Sequence, residues 1–235
     1  MTIPFEASPP ARPLAHAEQA LLTAILEGVY PPGGALPAER ELATRLGVTR
    51  PTLREALQRL ARDGWLTIRQ GKPTRVNDFW REGGLNILSH LAAHGQHLPA
   101  GFVVHLLEAR QALAPAYTRA AVARAPEEAA ALLEERPAAD DPAEHYAAFD
   151  WRLHRELAVG SGNPIYPLIL NGFAAFYEQM ARRYFAPAPT RARSQEFYAA
   201  LLSAARAADA EQAARLAEAV CQDSIKLWEG LGAGE

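Results

Sequence analysis

Apolar residues recur at helical spacing over most of this chain, and the short stretch where they do not is the more informative part. Leu42, Ala43 and Leu46 fall on one side of a short helix that opens at Pro37 and stops at Gly47. Thr49 can cap a second helix, whose Leu53, Ala56, Leu57 and Leu60 follow the i, i+3, i+4, i+7 spacing of one buried face. Trp65–Arg69 and Pro73–Val76 then read as two short strands joined by a turn at Gln70, Gly71 and Lys72. Upstream, Ala15–Val29 is expected to be a helix buried through Ala20, Leu21, Ala24 and Ile25, ending before the Pro31-Pro32-Gly33-Gly34 loop. Residues 1–13, with four prolines, are expected to form a frayed arm.

Beyond the second strand, strand alternation disappears and Ala, Leu, Glu and Arg dominate. Glycine and proline punctuation divides the remainder into helices over 84–95, 100–124, 126–135, 142–160, 164–186, 190–207 and 209–230. The expected fold is therefore mainly α: an N-terminal winged helix-turn-helix with a small β wing over 1–76, a linker over 77–84 and an all-α helical bundle over 85–235. At 235 residues the chain can bury two modest cores.

Charge sharpens the picture. The whole chain carries 24 Lys and Arg against 27 Asp and Glu. Residues 39–76 hold nine basic and four acidic side chains, a local surplus of five positive charges that leaves minus eight to the rest. A duplex presents about one negative charge per 1.7 Å of axis, so the local surplus matters more than the total. With the apolar stripe of the second helix turned inward, Arg50 and Arg54 share its outward face. Such a helix following a short turn, with a basic hairpin beside it, suits a DNA groove.

Other classes lose ground. No apolar run is long enough to span a bilayer, and Cys221 is the sole cysteine, so a reducing, cytoplasmic setting is expected. No phosphate-cradling loop and no G-x-G-x-x-G occurs. Gly160-Ser161-Gly162-Asn163-Pro164 lacks the spacing of a nucleophile elbow. A Cys221/His154 nucleophile pair has no visible supporting partner, so no catalytic residues and no enzyme activity are expected.

These residues carry a resemblance. The winged helix resembles the GntR family of bacterial transcriptional regulators, and VTRPTLREALQRLARDGWLTIRQGKPT, followed by VNDFW and GLNIL, resembles its FadR subfamily. FDWRLHRELAVGSGNPIYPLILNG and the terminal S-x-x-x-W resemble the helical effector domain of its FadR/FCD branch, and within it the FadR subfamily, which responds to long-chain acyl-CoA. The resemblance implies a cytoplasmic homodimer on a palindromic operator in double-stranded DNA, repressing or activating genes of fatty acid metabolism, with no membrane association. It assigns DNA contacts to Arg40, Thr49, Arg50, Thr52, Arg54, Gln70 and Gly71. Gln70 stands where the subfamily has histidine, and Pro51 replaces a hydroxyl residue.

For the effector domain two chemistries stay open. The resemblance implies an acyl-CoA pocket at Leu107, Arg110, Phe173, Tyr177, Tyr184, Ser224 and Trp228, with Tyr184 and Ser224 near the thioester and Arg110 near the nucleotide phosphates. His154, Val220 and Cys221 depart from that pattern, standing for an aromatic, a tyrosine and a glycine. Metal-binding relatives of the branch use D-x-x-x-H and two later histidines. Asp150 and His154 reproduce the first pair, but the later positions fall at Tyr198 and near Val220 and Cys221, so Cys221 or Asp223 would have to complete the site. No cofactor is expected, with Asp150 and His154 the weak candidates for a metal and a small carboxylate the effector in that case. A thioester-cleaving or acyl-CoA-binding protein with a vestigial DNA module is the reading from another class.

Overall fold

The computed structural model describes residues 12–94 and 98–232, in two compact units divided between Leu98 and Pro99. The frayed arm expected at the N-terminus lies almost entirely outside the described residues.

In the first unit, helices α1 (Pro13–Leu26), α2 (Glu39–Leu46) and α3 (Arg50–Arg62) precede strands β1 (Leu66–Thr67) and β2 (Arg75–Val76). Pro13 opens α1, where its missing N–H costs nothing. The buried stripe of α1 is Ala17, Leu21, Leu22, Ala24 and Ile25; Ala20, expected inside, is only half-buried. Helix α2 ends as its sequence demands. Gly47 is left-handed, with φ of 65°, and the Val48 N–H reaches back to the Ala43 carbonyl at 3.1 Å. Thr49 caps α3 by accepting from the Thr52 N–H at 3.3 Å. Leu53, Ala56, Leu57 and Leu60 are buried as a single stripe, as their spacing predicts.

The wing is shorter than expected. β1 and β2 pair antiparallel with Leu66 opposite Val76 and Thr67 opposite Arg75. Pro73 has no N–H to give a ladder, so pairing begins beyond it. Segment 33–36, expected only as loop, lies against β2 instead: the Leu36 N–H donates to the Thr74 carbonyl at 2.8 Å, and Val76 donates to Gly34 at 2.9 Å.

Residues 77–94 also belong to this unit, as α4 (Phe79–Glu82) and α5 (Asn86–Ala93). They close over Trp65, which is fully buried. Phe79 stacks on the indole with ring centroids 4.7 Å apart, and the indole N–H donates to His90 Nδ1 at 2.9 Å. The segment expected as a linker thus contains one helical turn anchored by the buried Phe79, with Trp80, Arg81, Glu82 and Gly84 exposed.

The second unit is built from α6 (Phe102–Arg124), α7 (Pro126–Glu134), α8 (Ala143–Gly160), α9 (Ile165–Phe185), α10 (Ala188–Arg206) and α11 (Ala210–Gly232). Each matches an expected helix to within two residues at either end. Helices α6 and α11 pack most extensively, and small buried residues, Ala114 and Ala121 on α6 and Ala213 and Ala217 on α11, keep these helices slim where they are buried. The core of this unit runs through Tyr117, Leu133, Tyr146, Leu153, Phe185, Phe197, Tyr198 and Leu201. No helix among the described residues is long and apolar enough to cross a membrane.

Candidate functional site

Two surfaces carry the chemistry, one in each unit. On the first, burial of Leu53, Ala56, Leu57 and Leu60 leaves Arg50 and Arg54 exposed on the opposite side of α3. Arg40, in the first turn of α2, is exposed as well. Arg54 Nε meets Glu39 Oε2 at 2.6 Å, while Arg40 and Arg50 make no ion pair among the described residues. Arg59 is shared between Glu55 and Glu18. Thr49 and Thr52 share a hydroxyl contact of 2.8 Å at the start of α3, where free backbone amides favour an anion. At the wing tip Gln70 is exposed and Gly71 takes φ of 70°, which only glycine adopts without strain. All seven expected DNA contacts therefore lie on the helix pair or the wing, and all but the half-buried Thr52 are exposed.

The second surface is internal. A cavity of about 100 Å³ runs between α6, α8, α9 and α11, and every residue expected of the effector pocket lines it: Leu107, Arg110, Phe173, Tyr177, Tyr184, Ser224 and Trp228. Its wall is mostly hydrocarbon, with Val103, Leu106, Leu113, Leu170 and Phe176 adding to Leu107 and Phe173. Tyr184 donates to Ser224 Oγ at 3.2 Å, and Arg183 lies over the Trp228 ring at 5.5 Å.

A separate polar cluster interrupts this wall. Asp150 and His154 lie one turn apart on α8 and are almost wholly buried. Asp150 accepts from the Tyr198 hydroxyl at 2.8 Å and from the Tyr177 hydroxyl. Arg110 reaches in from α6, with Nη2 at 2.7 Å from His154 Nε2 and 3.7 Å from Asp150 Oδ2. A guanidinium can only donate, so His154 Nε2 is the acceptor. Burial, reinforced by the Arg110 charge, lowers the His154 pKa to about 3, so the imidazole is neutral and its proton sits on Nδ1. Nδ1 then donates to the Tyr117 hydroxyl oxygen at 2.7 Å. For Asp150, burial pushes the carboxyl up, but His154, Arg110 and the two tyrosine hydroxyls outweigh it and hold it below the ordinary range.

These residues do not fit a metal. Both His154 nitrogens and both Asp150 oxygens already hold partners, and a guanidinium occupies the space a cation would need. Tyr198, at the position of a ligating histidine, points its hydroxyl at Asp150 instead. Asp223 cannot complete a site, since Arg193 binds it at 2.7 Å, and no group of three possible ligands exists among the described residues. Arg110, expected to meet nucleotide phosphates, is directed at His154 and Asp150. Tyr117 escaped the reading of the sequence. Its one signal is its place two turns beyond Arg110 on the same face of α6.

A winged helix-turn-helix with an outward arginine face, joined in one chain to a helical domain with a mostly apolar pocket, defines a ligand-responsive regulator of transcription. Comparison with known proteins gives the family. Residues 13–76 match the model for bacterial regulatory proteins of the gntR family, and residues 77–233 match that for the FadR C-terminal domain. Among curated relatives, a fatty acid metabolism regulator protein of Shewanella amazonensis is 46% identical over 93% of this chain and 91% of its own. The protein of the same name from Edwardsiella ictaluri is 41% identical over 94% of this chain and 93% of its own. The chain belongs to the GntR family, in its FadR branch, and is a DNA-binding regulator rather than an enzyme. A solved structure of Lar, which controls expression of the Listeria monocytogenes agr system, aligns with a TM-score of 0.59 at 20% identity, covering 91% of this chain and 95% of that one. That likeness concerns the fold alone.

Proposed function

We propose that this protein regulates genes of fatty acid metabolism by binding a palindromic operator as a homodimer and leaving it when a long-chain acyl-CoA fills the helical domain. The observation that carries the effector half is that all seven residues expected of an acyl-CoA pocket border one mostly apolar cavity. In this reading Leu107 and Phe173 flank the hydrocarbon chain, the Tyr184–Ser224 pair faces the thioester, and Trp228, half-buried, stands toward the head group. Arg40, Arg50 and Arg54 meet phosphates and guanine edges, Thr49 and Thr52 bind phosphate at the start of α3, and Gln70 and Gly71 approach the minor groove. Two copies on one duplex require a twofold site, because the protein pair is itself twofold. In this reading segment 77–84, whose Phe79 packs on Trp65 just beyond α3, is where the change is received by the DNA-binding unit.

Isothermal calorimetry of the full-length protein with palmitoyl-CoA, alongside elemental analysis of the same preparation, tests this. Binding near one acyl-CoA per chain without stoichiometric metal is expected. One metal per chain with no acyl-CoA binding would replace the proposal by a metal-dependent sensor of a small carboxylate.

A further inference from the structure

Among the described residues, the polar cluster in the pocket wall holds two hydrogen-bond donors that meet no oxygen or nitrogen acceptor. Because His154 Nδ1–H donates to the Tyr117 oxygen, the hydroxyl hydrogen of Tyr117 must find its acceptor elsewhere, and among the described residues that hydroxyl has no other partner. Arg110 Nε, also buried, has no hydrogen-bond partner. Tyr117 and Arg110 both line the cavity. The oxygen and nitrogen acceptors of the cluster are taken: Asp150 receives Tyr177 and Tyr198, and His154 Nε2 receives Arg110, which leaves the Arg110 guanidinium only the weakly accepting Cys221 sulfur beside it. A buried donor left unpaired is costly, so this wall is built for a ligand atom that accepts. The chain Arg110 to His154 to Tyr117 also runs in one direction. The guanidinium polarises the imidazole, and the imidazole polarises the phenol, which strengthens the terminal O–H as a donor.

We infer that the pocket recognises an acyl chain bearing an oxygen, a hydroxyl or keto group, through Tyr117 O–H and Arg110 Nε–H, and prefers it to the plain hydrocarbon chain. The inference rests on the acyl-CoA reading of this pocket and makes it narrower. It uses residues distinct from the Tyr184–Ser224 pair, with which the cluster shares no hydrogen bond among the described residues. A plain chain laid against this wall leaves both donors unpaired; a chain carrying an acceptor at that depth satisfies them. His154 and Tyr117 are thus specificity-determining through one relay, His154 by orienting and Tyr117 by contact.

Calorimetry of the full-length protein with palmitoyl-CoA and with analogues whose hydroxyl is moved along the chain decides the matter. At the matching position the hydroxylated ligand should bind about 5–10-fold tighter than palmitoyl-CoA, the value of one net hydrogen bond. In Tyr117→Phe the ratio of the two affinities should fall toward one, whatever happens to palmitoyl-CoA binding itself. Equal affinity of the wild-type protein for plain and hydroxylated chains at every position overturns the inference and leaves the acyl-CoA reading standing. Failure of every acyl-CoA to bind overturns both. The wild-type comparison needs no substitution, so it holds even if Tyr117→Phe folds poorly.

Discussion

Arg110→Met puts the internal cluster under the most direct strain. The substitution keeps the apolar stem and removes the charge that faces Asp150 at 3.7 Å and the donor that satisfies His154 Nε2 at 2.7 Å. At an effective dielectric near 20 the lost attraction is about 4 kcal/mol at this distance. Stranding one member of a buried pair costs about 3–5 kcal/mol in comparable cases. The two figures agree, and they amount to about a fifth or more of the stability of an ordinary domain, about 5–15 kcal/mol. At roughly 3 °C per kcal/mol, calorimetric melting of the helical unit should fall by about 10–15 °C. Asp150→Asn alone should also destabilise, since it leaves the guanidinium uncompensated. The double variant should recover at least about 2 kcal/mol relative to the sum of the single losses, because neither charge is then left alone. Additive losses of less than about 1 kcal/mol each would refute the reasoning, and with it the assignment of Arg110 as the cation that stands where a metal would.

Other consequences are equally open to measurement. Arg50→Ala should weaken operator binding by about 1–3 kcal/mol in an anisotropy titration, and Arg54→Ala should do the same, whereas unchanged affinity in both would remove α3 as the reading helix. Glu39→Ala, which frees Arg54 and removes a negative charge beside the groove, should tighten DNA binding, the more so at low salt. Acid should destabilise the helical unit in a defined window. His154 is neutral when folded, with its pKa depressed to about 3, so the unfolded chain binds its proton first; stability is full above about pH 6.5 and is lost as pH falls toward 3. Asp150, also depressed, adds a loss that begins as pH falls through the ordinary carboxylate value, near pH 4, and continues below it. His154→Phe should flatten the limb above pH 4 and leave the lower one, and an unchanged acid profile would count against a neutral buried imidazole. Gly71→Val, strained at φ of 70°, should weaken DNA binding with little effect on melting, and no change in either would show that the wing tip tolerates any residue.

How far the sequence revealed these features depended on whether a local signal existed. The helix pair was legible because its caps and its stripe are written within a few residues: Gly47 at the turn, Thr49 at the cap, Leu53 to Leu60 inside. The helical unit was legible in outline because glycine and proline mark its breaks. The wing was overestimated, since alternation over 65–69 outran the two residues that pair, and Pro73 removed a donor. Packing of α4 and α5 on Trp65 was invisible, because the four residues of α4 are too few to show a period and the indole they cover lies earlier in the chain. The pocket residues were legible only through family resemblance, whereas their polar cluster was not. Arg110 and Tyr117 come from α6, Asp150 and His154 from α8, Tyr177 from α9 and Tyr198 from α10, and no spacing along one helix reports which faces of four helices meet. Asp150 and His154 alone looked like half of a metal site; the arginine that fills the other half lies forty residues earlier in sequence.

The most direct test of the regulator is the coupling between its two halves. A duplex selected from a random pool by the full-length protein should be titrated with and without saturating palmitoyl-CoA, and palmitoyl-CoA affinity should be measured with and without that duplex. The account predicts that ligand weakens DNA binding and that DNA weakens ligand binding by the same factor, as linkage requires. Ligand affinity that does not change when the duplex is bound would contradict it.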